Sequence, residues 1–147
     1  MKPNHTKTAL VTGGTSGIGM QIALLLIRKG AKVIVAGRNF ETIENTLNAI
    51  PDEKKNWHFV RSDLRNDKDL HHLINEVKKK TDRLDFLIHS AGVFYSGNLE
   101  NATIENLDEL YQVNTRAPYF LTHGLVELLK MCKGRIVFIN STAGLDS

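Results

Sequence analysis

The chain has 147 residues, 41% of them hydrophobic and 24% charged, with a formal net charge of +3. That length suits one domain with one sizeable core, and the composition excludes a disordered or low-complexity chain. A single cysteine, Cys132, excludes an internal disulfide and a cysteine-built metal cluster, so no metal site is expected and a reducing compartment fits. No apolar run approaches the length of a membrane helix, and the polar start of the chain lacks a signal-peptide core; a cytoplasmic protein without a membrane partner is expected. The positive charge favours anionic ligands. Its only basic run, Lys78-Lys79-Lys80, lacks stacking aromatics and falls where a helix should end, so nucleic acid is not an expected partner.

The first apolar run, 9–11, leads directly into Thr12-Gly13-Gly14-Thr15-Ser16-Gly17-Ile18-Gly19, and then into a helical stripe of Ile18, Ile22, Leu25 and Leu26. A strand, a glycine-rich turn and a helix in that order form a phosphate cradle. Backbone can approach an anion only where side chains are absent, and the first helical turn offers N–H groups to it. Thr15 and Ser16 add hydroxyl donors. The alternative is a tight turn without a ligand. A Walker-type site is not expected, since no Gly-Lys-Ser/Thr follows.

The second run, 33–36, ends in Gly37-Arg38-Asn39, with Arg38 lying 19 residues past Gly19. A residue near that spacing reads the ribose of a dinucleotide. An arginine there suits a 2′-phosphate and also stacks on adenine, which points to NADP(H) and leaves NAD(H) open; a surface arginine that merely begins a helix is the alternative. The third run, 57–60, ends in Arg61-Ser62-Asp63-Leu64, where Asp63 either contacts a ligand or makes an Asx turn. A second stripe follows at Leu70, Ile74 and Val77. The fourth run, 86–88, ends in His89-Ser90-Ala91-Gly92, whose small residues let backbone pass close to a ligand. Nothing nearby pairs His89 as a base, so a hydrogen-bonded structural role is expected.

A long helical segment over 103–131 has Thr103 as N-cap, Pro118 as the point of a bend or of two helices meeting, and Gly134 as a stop. The last run, 136–139, ends in Asn140-Ser141-Thr142-Ala143-Gly144. The five runs do not alternate with polar residues, so they read as strands buried on both faces. Alternation with helices implies right-handed βαβ units, an α/β doubly wound parallel sheet, and ligands at the carboxyl ends of its strands.

These motifs, in this order, resemble the short-chain dehydrogenase/reductases. Thr12 to Gly19 matches the TGxxxGIG pattern at every fixed position, unlike the G-x-G-x-x-G of other dinucleotide folds. The resemblance implies a Rossmann-like NAD(P)-binding domain over 1–147 and hydride transfer between NADP(H) and a small-molecule carbonyl or alcohol. It implies that the glycine loop with Ile18, the pair Arg38-Asn39, Asp63 with Leu64, and Ser90-Ala91-Gly92 contact cofactor, Asp63 accepting from the adenine amino group. It also assigns Asn114 and Ser141 to catalysis: Asn114 holding a water, and Ser141, the first residue of Ser-x-x-Gly, binding the substrate oxygen. The family's commoner Asn-Asn-Ala-Gly is His89-Ser90-Ala91-Gly92 here. The expected Tyr-x-x-x-Lys is not among the 147 residues: four positions after Tyr95, Tyr111 and Tyr119 stand Leu99, Thr115 and His123. The chain therefore reads as the incomplete, truncated part of such an enzyme, inactive alone, with exposed apolar surface near Leu110, Phe120 and Leu128, an open edge at the fifth strand, and a homo-oligomer formed through 103–131. A nucleotide-binding module without catalysis and an assembly protein are the other readings.

Overall fold

A computed structural model describes residues 6–39, 41, 44 and 55–141. All five apolar runs are strands: β1 (Thr8–Thr12), β2 (Lys32–Gly37), β3 (Trp57–Arg61), β4 (Phe86–His89) and β5 (Arg135–Phe138). They form one parallel sheet in the order β3-β2-β1-β4-β5. The helices are α1 (Gly17–Arg28), α2 (Asp67–Lys80), α3 (Ile104–Tyr111) and α4 (Ala117–Cys132). The segment between β2 and β3 lies largely outside the described residues.

Alternation along β1 feeds two cores. Ala9 and Val11 pack with Ala23 and Ile27 of α1, and with Val33, Val35 and Ile88, on one face of the sheet. Leu10 packs on the other face with Leu70 and Leu73 of α2, Leu121 and Leu125 of α4, and Leu87. Every residue of β1 is buried, which explains the continuous apolar run at the centre of a sheet covered on both faces. The register sets Thr12 level with Ala36 on β2 and with His89 on β4. The loops that follow these strands therefore leave the sheet along one edge.

The helix ends follow local chemistry. Thr103 caps α3 in a reciprocal box with Asn106, whose Oδ1 accepts from the Thr103 backbone N–H at 3.0 Å. The lysine run closes α2, as the dipole favours. At the end of α4 the left-handed residue is Lys133 (φ 53°), not the expected glycine. Gly134 is needed for space instead: a Cβ there would collide with the Leu84 carbonyl oxygen.

The long segment is helical from Ile104 to Cys132 and is interrupted just before Pro118. Between α3 and α4 the helix widens into one π turn, Gln112–Arg116, with right-handed helical backbone at both of its ends. Pro118, buried at the start of α4, has no N–H for an i−4 partner. The wide turn directly before it lets the helix run on without that bond, and such turns recur at functional sites.

β5 is the open edge on the described side of β4, and all four of its residues are exposed, Phe138 at 61%. The apolar surface expected near Leu110, Phe120 and Leu128 is exposed at their neighbours rather than at these three themselves. All three are half-buried, Phe120 and Leu128 against the core. The outward face of the helix instead carries Leu107, Tyr111, Tyr119 and Met131. A helix turns 100° per residue, so Phe120 points inward while its neighbour Tyr119 points out.

Candidate functional site: a cleft at the carboxyl ends of the strands

The loops after β1 to β4 converge on one cleft of about 320 Å³, a volume within the range of small-molecule sites. Thr12, the last residue of β1, laces its two central walls together. Its hydroxyl accepts from the backbone N–H groups of Ser90 and Ala91 at 3.3 Å and donates to the Ile88 carbonyl. Gly13 follows with φ +65°, and a Cβ on it would lie 2.7 Å from the Cα of Ala91. A Cβ on Gly19 would strike the Gly13 carbonyl oxygen and come within 2.9 Å of the Ser90 hydroxyl. A Cβ on Gly37 would lie 2.7 Å from the methyl of the Thr15 side chain. Bare backbone therefore forms the floor of the cleft.

α1 opens onto this floor. Its N-cap, Ser16, makes no side-chain cap, and its first turn holds no acidic residue. The positive end of the helix dipole thus faces the cleft without an internal anion. Thr15, Ser16, Gly17 and Ile18 line the same space, with Leu64 and Ser90-Ala91-Gly92 on the opposite walls.

Arg38 stands exposed at the rim. Among the described residues no carboxylate lies within ion-pair distance of it, in contrast to Arg65, Arg83 and Arg116. Asn39 does not line the cleft; its Oδ1 accepts from the Glu41 backbone N–H at 2.9 Å. Asp63 is in the cleft, and its carboxylate is already engaged. Oδ1 accepts from the backbone N–H and Nε of Arg65, both at 3.0 Å, and Oδ2 accepts from a terminal guanidinium nitrogen at 2.6 Å. The Arg65 hydrogen bond holds the Asp63 carboxyl below its usual value against the opposing effect of burial. Arg65 also donates to Glu109 of α3 at 3.0 Å, and both residues line the cleft. Sequence reading passes over this pair. Arg65 had a local signal, a cation two positions after Asp63, but Glu109 is 44 residues away and had none.

Asn114 lies in the π turn and grips the backbone beyond β4. Its Nδ2 donates to the Val93 carbonyl at 2.8 Å, and its Oδ1 accepts from the Val93 N–H at 2.9 Å. The side chain thus fixes the chain leaving Gly92. Ser141 is exposed just past β5, its N–H donating to Asn140 Oδ1 at 2.8 Å. Thr142, Ala143 and Gly144 lie outside the described residues. His89 is not a cleft residue. It is buried at 3% exposure under α4, with Nε2 3.1 Å from the Thr122 hydroxyl and its ring stacked on Phe138 at 4.9 Å.

Residues 7–147 match the family model described as short chain dehydrogenase. The chain belongs to the short-chain dehydrogenase family. An uncharacterized oxidoreductase of Staphylococcus aureus strain MW2 is 33% identical over 95% of this chain and 60% of its own length. Cyclopentanol dehydrogenase of Comamonas sp. strain NCIMB 9872 is 30% identical over 96% of this chain and 57% of its own. Among solved structures, the RhlG/NADP active-site complex of Pseudomonas aeruginosa superposes with a TM-score of 0.85 at 26% identity, covering 100% of this chain and 60% of that one. This short-chain dehydrogenase sequence therefore spans less than two thirds of the length of these relatives. No helix among its described residues is long and apolar enough to cross a membrane.

Proposed function

We propose that this chain is the NADP(H)-binding part of an oxidoreductase that interconverts carbonyl and alcohol groups on a small molecule. One observation carries the reading: the backbone floor at Gly13, Gly19 and Gly37 admits no Cβ, it adjoins a helix N-terminus without a side-chain cap, and Arg38 stands unpaired among the described residues at its rim. A dianionic pyrophosphate fits that floor, and a 2′-phosphate fits the unpaired guanidinium. The NADP complex and the cyclopentanol dehydrogenase among the relatives support the cofactor and the substrate class.

When bound, the cofactor supplies hydride exchange with the substrate carbon. The protein's residues do the rest. The glycine floor and the first turn of α1 hold the phosphates, and Arg38 holds the adenosine ribose end. Asn114 keeps the backbone beside Gly92 in place through Val93. The Ser141 hydroxyl donates to the substrate oxygen as negative charge develops on it. The proton for that oxygen has no Tyr-x-x-x-Lys to come from within these 147 residues. The same reading has 1–147 act as one NAD(P)-binding domain, with copies associating through the outer face of 103–131, where Leu107, Tyr111 and Tyr119 are exposed.

Fluorescence titration of the chain tests the cofactor assignment. NADPH binds more tightly than NADH, and Arg38→Asp weakens NADPH by roughly ten- to a hundredfold, the worth of a charge-assisted contact, while sparing NADH. Unchanged NADPH affinity in the variant removes Arg38 from the site. Mixed with NADPH and a panel of cyclic and acyclic ketones, the 147-residue chain shows no steady consumption of cofactor. Sustained turnover would require a proton donor other than the family tyrosine.

A further inference from the structure

The family resemblance implies adenine recognition by the Asp63 carboxylate, and both oxygens of that carboxylate accept from Arg65. The arrangement of Arg65 is informative because all its N–H donors lie in the guanidinium plane. Nε and one terminal nitrogen are turned to Asp63, and the other terminal nitrogen is turned to Glu109. Three of its five N–H donors thus go to the two carboxylates, which fixes the plane of the cation. The flat faces of the side chain, 42% exposed, take no part in these bonds, and Arg65 lines the cleft together with Leu64 and Val113.

The charge of the group matters as much as its shape. Asp63, Arg65 and Glu109 together carry −1, so this corner does not attract phosphate. Arg38, without a carboxylate partner among the described residues, is the group suited to that task. A guanidinium pinned between two carboxylates loses little rotamer freedom when a ring is laid on it, and its faces are weakly hydrated.

We infer that Arg65, held edge-on by Asp63 and Glu109, is a stacking platform for the adenine ring, so that a flat cation grips adenine beside the Asp63 carboxylate. The inference rests on the proposed cofactor reading and deepens it. It assigns the two arginines separate tasks: Arg65 grips adenine whatever its ribose carries, and Arg38 senses the 2′-phosphate. It also gives Glu109 of α3 a place in the binding site, since it fixes the plane of Arg65 from across the cleft.

The test is titration of the chain with NADPH, NADH and 5′-AMP, with nicotinamide mononucleotide as a probe that lacks adenine. Arg65→Met should weaken NADPH, NADH and 5′-AMP alike, by about tenfold for a lost stacking contact, and leave nicotinamide mononucleotide unmoved. Arg65→Lys keeps the charge and the bond to Asp63 but has no plane, so it should fail to restore adenine affinity; thermal midpoints confirm that both variants fold. Full affinity in Arg65→Lys, or a loss confined to NADPH, would overturn the platform and assign Arg65 a simple charge role. If the unaltered chain binds none of the dinucleotides, the cofactor reading fails. If it binds them and Arg65→Met binds equally well, only the platform fails.

Discussion

Gly19→Ala should weaken NADPH binding by about tenfold to a hundredfold while leaving the chain folded. The added methyl meets the Gly13 carbonyl oxygen and the Ser90 hydroxyl, and the first of these is backbone that cannot swing aside. Overpacking of this kind costs about 1–3 kcal/mol. Against that, alanine is about 1 kcal/mol better than glycine inside a helix, and Gly19 lies in the first turn of α1. The two effects partly offset in stability, leaving a net loss of about 0–2 kcal/mol. They do not offset in binding, because the collision is relieved by moving α1 away from the glycine loop, and that carries the N–H groups of its first turn off the anion they would hold. A titration paired with a melting curve separates the two quantities. Wild-type affinity in Gly19→Ala would show that the anion does not rest on this floor.

Acid should unfold the chain through His89 before it does so through the carboxylates. Burial pushes the His89 pKa down from 6.5 to about 4, and its Nδ1 has no hydrogen-bond partner among the described residues. The folded state therefore keeps the ring neutral, while the unfolded chain takes up a proton below pH 6.5. Protons bind preferentially to the unfolded state between those values, so stability is fully present above pH 6.5, falls as the pH drops towards 4, and levels off below it. The difference is about 3 kcal/mol, equivalent to roughly 10 °C in the melting midpoint of a chain this size.

His58 is lowered too, by burial first and Lys80 second, but its side chain is 38% exposed and adds only a residual slope. Asp63, Asp67, Glu76 and Asp85 have depressed values and act in a lower window, losing their contribution only as the pH falls below the ordinary carboxylate range. Melting curves of the chain and of His89→Asn between pH 7.5 and about 4 distinguish these sources. Most of the slope should vanish in the variant, and an undiminished slope would clear His89 of the effect.

The readable parts of this molecule were those written in consecutive residues. A strand buried on both faces must be apolar throughout, so the five runs located the sheet. The glycines of the first loop announced a close approach of backbone because nothing else permits one. Thr103 and the lysine run marked helix ends through interactions spanning a single turn. Arg38 was legible for the same reason, as one residue at the end of one strand.

Contacts between distant segments were not legible in this way. The Thr12 hydroxyl joins Ser90 across 78 residues, Asn114 grips Val93 across 21, and Glu109 reaches Arg65 across 44. Each depends on parallel register and helix placement, which no short motif encodes. One local expectation yielded where tertiary space intervened: Gly134 avoids the Leu84 carbonyl while Lys133 takes the left-handed turn.

The order of strands and helices, the glycine floor and the presence of Arg38 at the end of β2 were therefore settled by the amino-acid order, since each rests on neighbours a few residues apart. Which face of the long helix turns outward, how Asp63 is occupied and what stands beside it in the cleft were settled only by folding. Those features arise where residues far apart in the chain must share the same few ångströms.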